Sequence, residues 1–212
     1  MKVSGVFKKV FPEIKDYDST PLLNVFISEC NLACLNCPVE EQLSAGGKKI
    51  MLNTLLEEIG KKFDEESALP DAVVISGGEP MMFFETSILC SALISLGKTV
   101  YVKTNGTGEL KNLPPEVIKI VNFKLVSSGE AGEFFFENLS ALSEKDALLF
   151  KIYTKEDLDL AFTLLNNLEL NMVKFGFIFR LMDTAVSQDD VENLLKAKID
   201  ENYRLWYKIL VG

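Results

Sequence analysis

Histidine is absent from this sequence of 212 residues. The commonest general acid/base, the commonest partner of a nucleophilic serine or cysteine and the commonest nitrogen ligand for zinc are therefore missing, and with them hydrolytic triads and most catalytic zinc sites. Basic residues are also scarce. Twenty-two Lys and Arg against thirty-one Asp and Glu leave a formal charge of −9, which opposes sequence-independent attraction to a phosphate backbone and binding to anionic membrane surfaces. No segment approaches the ~20 consecutive apolar residues that span a bilayer, and no N-terminal signal pattern follows "MKVSGVFKK". Linkers, low-complexity tracts and repeats are lacking too, so residues 1–212 read as one domain, with a cytoplasmic location expected. Only four cysteines occur. Three of them, Cys30, Cys34 and Cys37, fall within eight positions of one segment, which in such a chain favours metal binding or redox chemistry over disulfides.

What the chain does have is alternation. Apolar, β-rich runs at Leu22–Ser28, Ala72–Ser76, Thr99–Thr104, Phe123–Ser127, Leu148–Tyr153 and Val173–Phe179 read as strands. Helix-period segments lie between and after them, at about 53–63, 84–96, 114–120, 132–142, 155–168 and 187–198. Two open on capping-box signals, Thr154-x-x-Asp157 and Ser187-x-x-Asp190. Six β-α units predict an α/β fold, a partial (β/α)6 barrel or an open doubly wound sheet of mostly parallel strands with right-handed crossovers. Ligands of either architecture bind at the carboxyl ends of the strands. The final "DENYRLWYKILVG" is left without an assignment.

The cluster loop, residues 28–40, follows the first strand and carries Cys-x3-Cys-x2-Cys. A structural zinc site wants four closed ligands, and the loop offers three. Cys90 lies about six residues into a helix, roughly 9 Å from its start at ~1.5 Å per residue and on the side away from the strand ends. Among Ile88, Leu89, Leu93 and Ile94 it reads as a buried core residue. Three thiolates on a four-iron cluster leave one iron open, able to bind a substrate as well as to pass an electron.

Two further motifs share that edge: "ISGGEPMM" at the end of strand two and "KTNGT" at the end of strand three. The three motifs in this order resemble the radical S-adenosylmethionine superfamily, closely over residues 22–107 and by element order beyond. The resemblance implies one [4Fe-4S] cluster on Cys30, Cys34 and Cys37, with the amine and carboxylate of S-adenosylmethionine on the open iron. It places Gly77, Gly78, Glu79 and Pro80 at the cofactor, the first three receiving the methionyl amine, and Thr104 and Asn105 at the ribose or carboxylate. Ser127 matches a polar family position. It further implies reductive cleavage to methionine and a 5′-deoxyadenosyl radical that abstracts a hydrogen atom. Asn36 stands where the family often has an aromatic residue against adenine, and Pro38 where many activating relatives have histidine.

Short length and an early cluster loop resemble the activating enzymes of glycyl-radical enzymes, such as those serving anaerobic ribonucleotide reductase and pyruvate formate-lyase. On that resemblance the substrate is a glycine of a partner enzyme, which docks as the lid over the open side, and the electron comes from an external flavodoxin or ferredoxin. Two alternatives stand beside it: action on a small metabolite such as a 7-deazaguanine precursor, as in the similarly short 7-carboxy-7-deazaguanine synthases, and a non-catalytic iron–sulfur module. Four strands carry one lysine each. Lys124 and Lys174, near strand beginnings, read as solvated lysines at the bottom rim, Lys103 and Lys151 lie nearer the cluster edge, and Arg180 ends strand six there as a carboxylate or phosphate contact. The aromatic run Phe134–Phe136 reads as core.

Overall fold

The computed structural model describes residues 1–66, 68–169, 172–198 and 206–211. The chain opens with a strand that the apolar pattern did not single out, β1 (Lys2–Lys9), followed by β2 (Leu22–Ile27), the short α1 (Glu40–Ser44), β3 (Lys48–Lys49) and α2 (Leu52–Glu65). Then come β4 (Ala72–Gly77), α3 (Glu85–Ser95), β5 (Thr99–Thr104), β6 (Ile118–Phe123), β7 (Ala147–Ile152), α4 (Lys155–Asn167), β8 (Gly176–Leu181), α5 (Gln188–Lys198) and β9 (Tyr207–Val211). One sheet runs β3-β1-β2-β4-β5-β6-β7-β8-β9. From β2 to β9 every neighbouring pair is parallel, and β1 and β3 add an antiparallel edge. The α/β class and the mostly parallel open sheet thus match expectation, and "YKILV" of the unassigned tail supplies a seventh parallel strand.

Two helices expected from periodicity are not formed. At 114–120, Pro114 and Pro115 precede a run rich in β-branched residues that becomes β6, five residues ahead of the strand expected at 123–127. At 132–142 only a 3-10 turn, Phe136–Ala141, appears. Phe134 there is buried against Phe123, with ring centroids 5.0 Å apart, whereas Phe136 is half exposed. The longer helices bury one stripe each, for example Leu89, Cys90 and Leu93 of α3. Both capping boxes are made: Thr154 accepts from the Asp157 amide, and Ser187 and Asp190 bond reciprocally.

The outer face of the sheet carries the main apolar core under the helices. On the inner face, residues 10–21 between β1 and β2 fold back against the strands, so that Phe11 and Ile14 pack with Leu22, Ala72, Val74 and Tyr101. This segment covers the lower part of the inner face and leaves the carboxyl ends of the strands open above it.

Candidate active site

A cavity of about 290 Å³ lies at those carboxyl ends, between the cluster loop and the inner face of the sheet. Cys30, Cys34 and Cys37 all line it, each partly exposed. Asn36, Gly77, Gly78, Thr104, Asn105, Ser127, Lys103, Lys151 and Arg180 line it as well. Glu79 and Pro80 do not. Both are buried, and Glu79 turns its carboxylate inward, where Oε1 accepts from the Met81 amide at 2.8 Å and the Thr104 hydroxyl at 2.7 Å, and Oε2 from the Asn105 amide at 2.5 Å. Burial raises its carboxyl pKa against these bonds. Glu79 therefore ties the end of β4 to the end of β5, instead of presenting a free acceptor to a bound amine.

The two glycines serve the cluster loop. A Cβ on Gly78 would lie 2.0 Å from the Glu29 carbonyl oxygen, and one on Gly77, whose φ is +116°, would lie 2.3 Å from that of Ile27. The amides of Gly78 and Glu79 donate to the carbonyls of Ile27 and Glu29 at 2.8 Å each. The close backbone approach that two glycines permit is thus made by the strand leading into the first cysteine. Gly78→Ala is expected to push the loop away and to lower iron bound per chain after anaerobic reconstitution by more than half, with helix content unchanged by circular dichroism.

The far side of the loop is held by residues far away in sequence. Asn36 donates to the Ser127 hydroxyl at 3.2 Å, the Leu35 amide to the Ser128 carbonyl at 2.9 Å and the Ala33 amide to Glu130 at 2.7 Å. The Ser127 amide in turn donates to fully buried Asp157, the acid of the α4 capping box. Asn31, Asn105 and Thr107 form a third link, with Asn105 donating to Asn31 at 3.0 Å. Asn36 and Ser127, picked separately from sequence, therefore meet at one contact.

The three thiols fit an iron–sulfur cluster in kind and placement: soft sulfur donors, on one loop, facing one cavity. Among the described residues no three Cys, Asp or Glu converge as a single metal ion requires. A cubane makes no such demand, since each thiolate takes a different iron. Burial pushes the Cys30 thiol above its ordinary value, with Glu79 adding to the effect. Cys90 is fully buried on α3 and its thiol is pushed up to about 12, as a core residue's would be.

Below the cysteines the cavity is cationic. Lys9, Lys103, Lys124, Lys151 and Arg180 line it, and Glu13 is the one carboxylate among them. Lys124 corrects the sequence reading: β6 ends at Phe123, which puts Lys124 at the cluster edge and not at the bottom rim. Lys174 is exposed ahead of β8, as expected. Lys103 reaches the Glu13 carboxylate, and Arg180 Nη1 lies 3.8 Å from its Oε2. Burial first, then four neighbouring cations, push the Lys103 amine pKa well down, and Glu13 is the one carboxylate set against it in the cavity. Lys151 has no ion-pair partner among the described residues, and burial first, then Lys124 and Arg180, push it down to about 8. Since its unfolded value is 10.5, the unfolded chain binds the proton more tightly, and this lysine destabilises the ligand-free fold fully below about pH 8. Lys151→Met is expected to raise the Tm of the protein without cofactors at pH 7, with the gain shrinking as pH rises toward 10.5.

Sequence reasoning missed Glu13 and Lys9, which lie outside every strand-end motif. Glu13 is 1% exposed, and its Oε2 is buried without a hydrogen-bond partner. The only signal was an acid between apolar neighbours in "VFPEI".

Residues 22–108 match the family described as a 4Fe-4S single cluster domain. The 7-carboxy-7-deazaguanine synthase of Koribacter versatilis is 32% identical over 185 residues, covering 85% of this chain and 79% of that protein. The chain belongs to the 7-carboxy-7-deazaguanine synthase family. The synthase of Thermoplasma acidophilum is 28% identical over 166 residues, 77% of this chain and 75% of its own. In fold, the crystal structure of QueE from Escherichia coli superposes over 97% of this chain and 92% of that one with a TM-score of 0.69 at 18% identity. Streptococcus suis SuiB bound to its precursor peptide SuiA aligns with 86% of this chain and 46% of its own, with a TM-score of 0.55 at 14% identity. The protein is thus a radical S-adenosylmethionine enzyme, with a [4Fe-4S] cluster on three cysteines and S-adenosylmethionine as cofactors. The relatives do not support the glycyl-radical activating reading or its partner enzyme; they agree with the small-molecule alternative. No helix among the described residues is long and apolar enough to cross a membrane.

Proposed function

We propose that this enzyme forms 7-carboxy-7-deazaguanine, the product that its relatives' name states, from a small carboxylated heterocycle. The observation that carries the reading is Glu13, a buried carboxylate with a free oxygen, set among cations in the cavity below the three cysteines. A guanine-type ring presents adjacent N–H donors along one edge, and a carboxylate is the acceptor that takes two of them together. The ligand's own carboxyl group needs cations, which Arg180 and Lys9 supply.

Cys30, Cys34 and Cys37 would hold the cluster, leaving one iron without a protein ligand and so available to S-adenosylmethionine. When bound, the two cofactors supply one-electron cleavage of the sulfonium carbon–sulfur bond, which starts hydrogen-atom abstraction. The protein's part is binding and exclusion of water. Lys124 and Lys151, the cavity lysines whose charges act on the cysteines or are acted on by them, would be the cations available to the cofactor carboxylate. Thr104 and Asn105 belong to the cavity wall and would border the cofactor there, and the Asn36–Ser127 bond ties down the cluster loop, where the adenine would be met. The electron comes from an external one-electron carrier of the flavodoxin or ferredoxin type.

The test is complementation. A bacterial strain deleted for its own 7-carboxy-7-deazaguanine synthase, expressing this chain, should regain 7-carboxy-7-deazaguanine in its extract by mass spectrometry, and the Cys34→Ala chain should not. If the metabolite stays absent while the purified, reconstituted protein cleaves S-adenosylmethionine, the substrate assignment is wrong. If cleavage is absent too, a binding module takes its place.

A further inference from the structure

We propose that Lys208, on the last strand, is a positioning residue that sets Glu13 for the ligand; this rests on the function proposed above. Its ammonium donates to the Pro12 carbonyl at 2.8 Å and to Asp18 Oδ2 at 3.1 Å. The Pro12 carbonyl belongs to the peptide that joins Pro12 to Glu13, so this bond fixes the plane from which the Glu13 side chain departs. Asp18 lies at the other end of the same turn sequence, in which Ile14, Tyr17 and Thr20 donate to the carbonyls of Phe11, Ile14 and Tyr17. One cation thus clamps both ends of the segment that carries Glu13. A second contact joins the same partners, with the Lys15 ammonium 5.9 Å from the centre of the Trp206 ring beside β9. Trp206 is itself anchored by its indole N–H on the Glu144 carbonyl at 3.0 Å.

The register explains the reach. Lys208 pairs with Ile178 of β8, two residues before Arg180, and Arg180 pairs with Leu210. By strand alternation Lys208, Leu210, Ile178 and Arg180 share the inner face, which puts the lysine below the cavity and under residues 10–21. Arg180 and Lys103 hold the Glu13 carboxylate from above, and Lys208 holds its backbone from below. Neither Lys208 nor Asp18 lines the cavity, so the clamp acts on ligand affinity through the segment that carries Glu13.

The experiment compares reconstituted wild type, Lys208→Met and Lys208→Arg, using 7-carboxy-7-deazaguanine as the calorimetric probe and hydrogen exchange of residues 10–18 as the second readout. Losing a charge-assisted bond to the backbone is expected to weaken the probe's Kd roughly tenfold in Lys208→Met and to speed exchange in that segment. Iron content and cleavage of S-adenosylmethionine without substrate should be unchanged, and Lys208→Arg should restore affinity. A Kd for Lys208→Met within twofold of wild type overturns the proposal, as does a parallel loss of iron and cleavage, which would make Lys208 merely structural. If wild type fails to bind the probe, the proposed function falls, and the exchange data still decide whether Lys208 clamps the segment.

Discussion

Replacing Cys34 with alanine is expected to abolish reductive cleavage of S-adenosylmethionine, by at least a thousand-fold, equivalent to ~4 kcal/mol in the barrier. The effect is this large because the interaction removed has no substitute. With Cys34 gone the loop keeps two thiols, Cys30 and Cys37, and the remaining cysteine is sealed in the core of α3 with its thiol pushed up to about 12. No histidine exists to take its place. Cys90→Ala is the matching control. It removes a fully buried sulfur from a packed helix face, so it should cost roughly 1–2 kcal/mol of stability, a loss of several degrees in Tm, while leaving iron content and cleavage intact. Assays of 5′-deoxyadenosine and of iron per chain on both variants separate the two roles. Retained cleavage in Cys34→Ala, or lost cleavage in a folded Cys90→Ala, would exchange the assignments.

The asymmetry between what the sequence showed at Cys34 and what it hid at Glu13 has a physical source. Cys-x3-Cys-x2-Cys, "GGEP" and "TNGT" each sit within a few residues of a strand's end, and parallel strands bring their carboxyl ends together whatever the rest of the chain does. Local spacing therefore located the cluster edge. Capping boxes were legible for the same reason, since donor and acceptor lie three residues apart. Glu13 depends on a turn segment doubling back beneath strands that are distant in sequence, and no local pattern encodes that. Lys124 was misplaced because β6 begins five residues earlier than the apolar run suggested, and a strand's beginning and end lie at opposite rims. The three missed strands β1, β3 and β9 are edge or near-edge elements whose partners had to be known first. Glu79 was assigned by motif to the cofactor, yet its carboxylate is consumed by three bonds from β5 and its own loop, a demand visible only once β4 and β5 are adjacent.

Glu13→Gln is expected to reduce formation of 7-carboxy-7-deazaguanine by about a hundredfold or more while substrate-independent cleavage of S-adenosylmethionine continues. The amide keeps the shape and loses the acceptor charge, so a ligand edge with two N–H donors meets one acceptor and one donor, and a buried group is left unpaired. The same change also strands Lys103, which loses its ion-pair partner while burial and the neighbouring cations already push its amine pKa down. Breaking a buried ion pair from one side costs about 3–5 kcal/mol. Lys103 keeps 23% of its side chain exposed, so solvent screens part of this and roughly 1–3 kcal/mol is the expected loss. Glu13→Gln combined with Lys103→Met removes the stranded cation and should recover most of that stability. It should not recover product, because the ligand still lacks its acceptor. Thermal unfolding and product assays on the two single variants and the double variant resolve the roles. Stability and synthesis restored together would reduce Glu13 to a counter-ion for Lys103, whereas stability restored alone identifies Glu13 as the group that reads the substrate.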